Sequence, residues 1–257
     1  MLLAINANNT NTTMAIWDGA DRKGSWRIAT DPRRTADEYV VWLDHLLGLD
    51  GLGRRDIDGT AIASVVPEAN FNLVTLCRRY YDSDPLMVGD AGVAFGARAL
   101  VDRPEEVGAD RICNSVAAHD RYKGPVVVVD FGTSTNFDVI DADGNFRGGI
   151  IAPGPNLSLR ALALATAKLP SIPVARTEKV IGTSTVACMQ SGIFWGYVGL
   201  IDGLIARVRR EFGLPMTAVA TGGLAPLFIG ATEGIDTVDA DLTLWGLRLI
   251  YRFNRNK

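Results

Sequence analysis

Two stretches of the chain share one pattern: an apolar run, a turn crowded with small polar residues, and a return to apolar positions. The first is Leu2-Leu3-Ala4-Ile5 followed by Asn6-Ala7-Asn8-Asn9-Thr10-Asn11-Thr12, and the second is Val126-Val127-Val128-Val129 followed by Asp130-Phe131-Gly132-Thr133-Ser134-Thr135-Asn136. Laid on each other without a gap, Asn6 falls on Asp130, Asn8 on Gly132, Asn9 on Thr133, Thr10 on Ser134 and Asn11 on Thr135, while Met14-Ala15-Ile16 falls on Asp138-Val139-Ile140. Each stretch reads as a β-hairpin, and the pair as an internal duplication. Further strands are expected at 59–66, closed by Pro67, at 146–151 after the turn Asp141-Ala142-Asp143-Gly144, and at 216–220. The spacing predicts helices over 35–47, 67–81, 109–122, 156–167, 184–212 and 242–252. Strands alternate with helices in each half, which points to layered α/β domains and away from a repeat array or an all-helical bundle. Tyr122-Lys123-Gly124-Pro125 reads as the turn between two lobes, residues 1–121 and 122–257.

The helix over 184–212 carries Gly192, Gly196, Gly199 and Gly203 near one face. Glycine costs about 1 kcal/mol in a helix interior, so a bare row needs a reason. Two are open: close packing within the chain, or a subunit interface along the stretch that holds Phe194, Trp195 and Tyr197.

Composition narrows the class. With 257 residues, 47% apolar and 21% charged, the chain can bury a sizeable core. It has no run of eighteen apolar residues, and its N-terminus lacks a basic region followed by a cleavage site, so a cytoplasmic protein without membrane association is expected. Cys77, Cys113 and Cys188 are odd in number and far apart, against a disulfide framework or a zinc site, and read as reduced core residues. A net charge of −3 gives no reason to expect nucleic acid, and the short basic tail Arg252, Arg255, Lys257 does not change that.

The candidate chemistry lies in the turns. The first, Asn6 to Thr13, offers backbone N–H groups and short polar side chains to phosphate oxygens, and the motif GxxxxGK[ST] is absent. Its echo at Asp130 suggests two turns clamping a nucleotide across a cleft. Asp130 ends a row of valines, where a carboxylate is costly without a cation or several donors; a metal or monovalent cation, or N–H groups of Gly132-Thr133-Ser134, would satisfy it. In Gly108-Ala109-Asp110-Arg111 the acid either caps a helix or serves as general base, with Arg111 holding an anionic group. The two histidines, His45 and His119, fall inside predicted helices, and no serine or cysteine has a visible activating partner, which argues against nucleophilic hydrolysis. Thr221-Gly222-Gly223 would let backbone lie against an adenine or ribose, whereas Gly148-Gly149 and Pro153-Gly154 read first as loop.

Taken in order, Asn9-Thr10-Asn11-Thr12, Gly108-Ala109-Asp110-Arg111, Asp130-Phe131-Gly132-Thr133, Gly149-Ile150-Ile151-Ala152-Pro153-Gly154, Met189-Gln190-Ser191-Gly192 and Thr221-Gly222-Gly223 resemble the motifs of the type III pantothenate kinases over essentially the whole chain. The resemblance implies an α/β fold of two actin-like (ribonuclease H-like) lobes related by duplication, with the active site in the cleft between them. It implies ATP-dependent phosphorylation of pantothenate to 4′-phosphopantothenate, the first step of coenzyme A biosynthesis. By that resemblance Asp110 is the base and Gly108, Ala109, Asp110, Arg111 and Thr185 meet pantothenate. It also gives Thr133 to ATP, which Mg²⁺ would accompany, and a monovalent cation, K⁺ or NH₄⁺, to Asp130; the residue chemistry above adds Asn6, Asn8, Asn9, Thr10, Asn11, Thr12, Thr13, Gly222 and Gly223 to the expected ATP contacts. A homodimer is implied, or a heteromer with a related subunit.

The chain also departs from the family pattern. The first motif of the family reads Asp-x-Gly-Asn-Thr, and here Asn6 and Asn8 replace the acid and the glycine. Asn6 brings no negative charge to Mg²⁺, and Asn8 adds a side chain where backbone should approach phosphate. Asn136 replaces a usual threonine, and Thr183 a common lysine. These changes leave two alternatives beside the plain kinase: a catalytically impaired relative acting as a binding or regulatory subunit, and a phosphotransferase for another small hydroxylated substrate.

Overall fold

The computed structural model describes residues 1–255, so Lys257 of the basic tail lies outside the described residues. Strand β1 (Leu2–Ala7) is buried at every position because it lies at the centre of a five-stranded sheet. It pairs antiparallel with β2 (Asn11–Asp18), which pairs antiparallel with β3 (Asp21–Ala29). On its other side it runs parallel to β4 (Gly59–Ser64), followed by the short β5 (Leu86–Met87). The second sheet repeats this plan. Its centre is β6 (Val126–Phe131), antiparallel to β7 (Ser134–Ile140), itself antiparallel to β8 (Phe146–Pro153), and parallel to β9 (Thr217–Gly222), which is followed by β10 (Thr237–Val238). The orders β3-β2-β1-β4-β5 and β8-β7-β6-β9-β10 are the same topology twice, which is the duplication expected from the turns.

The strand pairing corrects the ungapped alignment of the two hairpins. Ala7 pairs with Thr12 across the first turn, whereas Phe131 pairs with Thr135 across the second, so the first turn holds one more residue. Beyond the turn, Thr12 corresponds to Thr135, Thr13 to Asn136 and Met14 to Phe137, not to Asp138.

The helices are α1 (Ala36–Leu49), α2 (Pro67–Tyr81), α3 (Ala109–Tyr122), α4 (Pro155–Leu164), α5 (Thr185–Phe212), α6 (Ala225–Phe228) and α7 (Leu242–Arg255). Their starts have local causes. Thr35 and Glu38 form a capping box on α1, Pro67 opens α2 at a position that needs no N–H, and the Ser184 side chain accepts the Ala187 N–H at the head of α5. Strand β3 escapes the sequence reading because its positions alternate between exposed and half-buried and carry Asp21, Arg22, Lys23 and Arg27.

Two compact units result among the described residues: 1–98, 102–117 and 242–255, and 99–101 with 118–241. The division differs from 1–121 and 122–257 chiefly in α7, which belongs with the first sheet. There Leu244, Leu247 and Ile250 share an apolar cluster with Leu2, Ala4 and Cys113, Thr243 donates to Asn114 Oδ1 at 2.7 Å, and the buried Arg248 guanidinium lies 4.4 Å from the Trp245 ring centroid and donates to the Gly19 carbonyl. In the second unit, the inward rows of β6 and β9 pack on α5 and α6 through Phe194, Ile201 and Phe228. Cys77 and Cys113 are buried as expected. Cys188 is exposed, because it falls on the first turn of α5 with its thiol donating to the Gly182 carbonyl.

Candidate active site

In the first unit the residues singled out from the sequence collect at the carboxyl end of two parallel strands, the usual position of ligand sites in α/β sheets. Asn6 and Ala7 end β1 beside Ala63 and Ser64, which end β4, and the Val65 N–H donates to the Ala7 carbonyl at 3.0 Å. Gly108 lies against the same corner: a Cβ there would sit 3.5 Å from Val65 Cγ1 and 2.7 Å from Asp110 Oδ1. The Gly108–Arg111 segment and the Asn6–Thr13 turn are thus neighbours through β4. Asp110 stands in the first turn of α3, partly exposed yet closely surrounded by protein, and its Oδ1 accepts the Arg111 N–H at 2.8 Å. Burial pushes its carboxyl pKa up, against the smaller opposing effects of that hydrogen bond and of the Arg111 charge. A carboxylate held in this way is a stronger base than one in water.

The turn itself has Asn9 and Thr10 exposed at its tip, Thr12 fully buried, and Asn11 and Thr13 half-buried. Asn6 is 6% exposed, and the amide oxygens of Asn6 and Asn8 are both buried without a hydrogen-bond partner. A buried acceptor without a donor costs about 1–3 kcal/mol, so both oxygens are positions that a donor would stabilise. Asn8 does not have positive φ, so it sits in the glycine's place without backbone strain. Thr30, just past β3, braces this turn: its hydroxyl donates to the Asn8 carbonyl at 2.6 Å and its N–H to the Thr10 carbonyl at 3.0 Å.

In the second unit, Asp130 and Phe131 end β6 beside Thr221 and Gly222, which end β9. Gly222 has φ +89°, and a Cβ there would lie 2.6 Å from the Phe131 carbonyl oxygen and 2.7 Å from Asp130 Oδ1. Gly223 follows, exposed. The turn after Asp130 closes with Gly132 N–H donating to Ser134 O at 2.9 Å and Gly154 N–H to Thr133 O at 3.0 Å. Asn136 faces Asp130 across the hairpin, with its amide oxygen buried and without a partner. A carboxylate with a neutral oxygen acceptor beside it is chemistry that fits a monovalent cation. Thr185 is exposed as the first residue of α5. Gly148 and Gly149 lie inside β8, within the strand expected over 146–151, so of the two readings open for them the strand holds. Thr30 carries no signal in the sequence, and Gly154 reads there first as loop and as the end of the motif Gly149–Gly154; both sit at hairpin-register positions that become equivalent once the longer first turn is allowed for.

Comparison with known proteins agrees with this geometry. Residues 2–207 match the family described as type III pantothenate kinase. The chain is 60% identical over 254 residues to the type III pantothenate kinase of Paramagnetospirillum magneticum, covering 99% of this chain and 98% of that one. It is 56% identical over 255 residues to that of Rhodospirillum rubrum, covering 99% of each. Among solved structures it is similar to a conserved putative Baf family transcriptional activator from Campylobacter jejuni, with TM-score 0.63 at 16% identity over 99% of this chain and 100% of that one. It is also similar to a ROK hexokinase from Thermus thermophilus, with TM-score 0.52 at 11% identity over 100% and 99%. At such identities these structures speak for the fold alone, that of the actin-like sugar kinases.

Proposed function

The chain belongs to the type III pantothenate kinase family, and from that premise we propose that it phosphorylates pantothenate with ATP, giving 4′-phosphopantothenate for coenzyme A biosynthesis. Asp110 takes the proton of the pantothenate hydroxyl as its oxygen attacks the γ-phosphorus and ADP leaves; Arg111 holds anionic oxygen, and Gly108, Ala109 and Thr185 line the pantothenate position. Asn9 to Thr13, Thr133, Gly222 and Gly223 meet ATP. Asn6 and Asn8 would be the side chains nearest Mg²⁺, which would neutralise phosphate charge, and Asp130 would hold K⁺ or NH₄⁺. The observation that carries this reading is the Asp110 carboxyl, raised in pKa by burial and set beside Arg111 at the carboxyl end of the first sheet's parallel strands. The purified protein should release ADP with ATP, Mg²⁺ and K⁺ or NH₄⁺ only when pantothenate is added, with 4′-phosphopantothenate identified by mass. Absence of product under both cations would overturn the assignment.

The orphaned amide oxygens favour a lowered rate relative to a family member with the acid in place. Asn6→Asp with Asn8→Gly should raise kcat/KM by about tenfold, equivalent to about 1.4 kcal/mol, with most of the gain from the charge at position 6 because Asn8 is unstrained. Equal rates would mean that the amides serve as well as the acid and glycine; no activity in either form would favour the subunit reading.

The protein acts as a homodimer in this proposal. Gly192, Gly196 and Gly199 have no atom within 4 Å of a would-be Cβ, so packing within the chain does not account for the row. Leu164 and Ile181, in the segments before α5, are 88% and 83% exposed. Gly196→Arg improves helix propensity and meets nothing inside the chain, so it should leave folding intact while shifting the dimer to monomer in light scattering. A dimer unchanged by Gly196→Arg would place the interface elsewhere, and a stable monomeric parent would remove it. Among the described residues no helix is long and apolar enough to cross a membrane, and we place the enzyme in the cytoplasm with its ATP supply.

A further inference from the structure

The two hairpin turns differ by one residue, and the register shows what accommodates the difference. Asn11 pairs with Ala29 as Ser134 pairs with Pro153, so the next residues, Thr30 and Gly154, are equivalent. Each donates its N–H to the residue at the tip of its turn, Thr30 to Thr10 O and Gly154 to Thr133 O, both at 3.0 Å. In the second unit the short turn closes directly on the glycine, and a Cβ at Gly154 would sit 2.4 Å from Thr133 O. In the first unit the longer turn leaves room for a side chain, and Thr30 fills it.

Thr30 Oγ1 donates its one proton to the Asn8 carbonyl at 2.6 Å, so the Thr12 hydroxyl, 2.9 Å away and fully buried, must be the donor to Thr30 Oγ1. A relay from Thr12 through Thr30 to Asn8 therefore ties both arms of the turn to the end of β3. The consequence is directional. In a planar trans peptide the C=O and the next N–H point opposite ways, so holding the Asn8 carbonyl toward Thr30 turns the Asn9 N–H away from β3, at the exposed tip of the turn. An N–H fixed in this direction is ready for a phosphate oxygen and pays no reorganisation on binding.

We propose that Thr30 is a positioning residue for nucleotide binding: through its hydroxyl it orients the backbone of the Asn8–Thr10 turn toward ATP phosphate. This rests on the pantothenate kinase reading above. Thr30→Val keeps the shape and N–H and removes the relay; Thr30→Ser restores the hydroxyl. Steady-state kinetics and calorimetric titration with Mg·ATP should give, for Thr30→Val, a KM and Kd for ATP raised about tenfold with KM for pantothenate within about twofold of the parent, in a chain that stays folded at the assay temperature although its Tm falls because Thr12 and the Asn8 carbonyl lose their partner. Thr30→Ser should return ATP affinity to within about threefold. Should Val fail to fold, Thr30→Ala carries the same comparison without a branched methyl to accommodate. Unchanged ATP affinity in the folded hydroxyl-less variant, equal weakening toward both substrates, or failure of Ser to rescue would overturn the inference. An inactive parent that still binds ATP, with Val weakening that binding, would leave the inference standing and overturn the kinase reading instead.

Discussion

Asp110→Asn should lower kcat/KM for pantothenate phosphorylation by roughly 10³-fold, within the range for loss of a general base, while leaving the fold intact. The asparagine oxygen can still accept the Arg111 N–H that Asp110 Oδ1 accepts at 2.8 Å, so the start of α3 loses no bond; what is lost is the ability to take a proton. The pH behaviour separates this from damage to structure. Burial raises the Asp110 pKa in the folded chain above its ordinary 3.8, so kcat/KM of the parent should fall as pH drops through that raised value. The same shift is a stability statement with a definite sign. A carboxyl raised on folding is stabilising in its protonated form below the unfolded value, and that contribution is lost as pH rises through the folded pKa, so at neutral pH the ionised group burdens the native state. Asp110→Asn should therefore have a Tm at pH 7 to 8 equal to or above that of the parent, with the advantage gone below about pH 3.8. Turnover within a few-fold of the parent would remove Asp110 as the base, and a Tm well below the parent at neutral pH would make its role structural.

Much of the fold was legible because the duplication is written in residues that the strands require. Four valines before Asp130 and four apolar residues before Asn6 can be buried on both faces only in central strands, and that is where β6 and β1 lie. Helices α2 and α3 begin and end as their spacing indicates, since Pro67 and Gly108 punctuate their starts. Strand β3 was hidden by its charges: it uses β2 as a partner and leaves its outward row in water, so it carries little apolar periodicity. The place of α7 was hidden for another reason. Its apolar face reports that it must be buried, and nothing in a helical pattern says against which sheet; it packs in the first unit with the early turns of α3. The site motifs could be read from their order and resemblance. The hydroxyl of Thr30 and the bare backbone of Gly154 could not, because their meaning depends on a one-residue difference in turn length that an ungapped comparison conceals.

Gly222→Ala should reduce kcat/KM by about 100-fold, or about 2.7 kcal/mol of transition-state stabilisation, with the loss concentrated in ATP and cation dependence. The reason is a conflict at the ends of β6 and β9. Gly222 sits at φ +89°, where an L side chain is strained by about 1–3 kcal/mol. The added methyl would also lie 2.6 Å from the Phe131 carbonyl oxygen and 2.7 Å from Asp130 Oδ1, well inside van der Waals contact. Neither neighbour can yield freely. Phe131 is paired in register with Thr135 on one side and Gly222 on the other, and its ring is stacked 5.0 Å from Phe228 in the core. Asp130 is held by its pairing with Asn136 and Thr221. The strand ends must therefore part, which displaces the carboxylate proposed to hold K⁺ or NH₄⁺ and the turn at Gly132 and Thr133 that begins one residue beyond Phe131. Titrations with ATP, K⁺ and pantothenate in steady state should show the ATP KM and the K⁺ activation constant raised together, with the pantothenate KM within about threefold of the parent. A Gly222→Ala enzyme with parental ATP and K⁺ constants would mean that the carboxyl ends of β6 and β9 take no part in the reaction, and the nucleotide and cation roles given to Thr133, Gly222, Gly223 and Asp130 would fall with it.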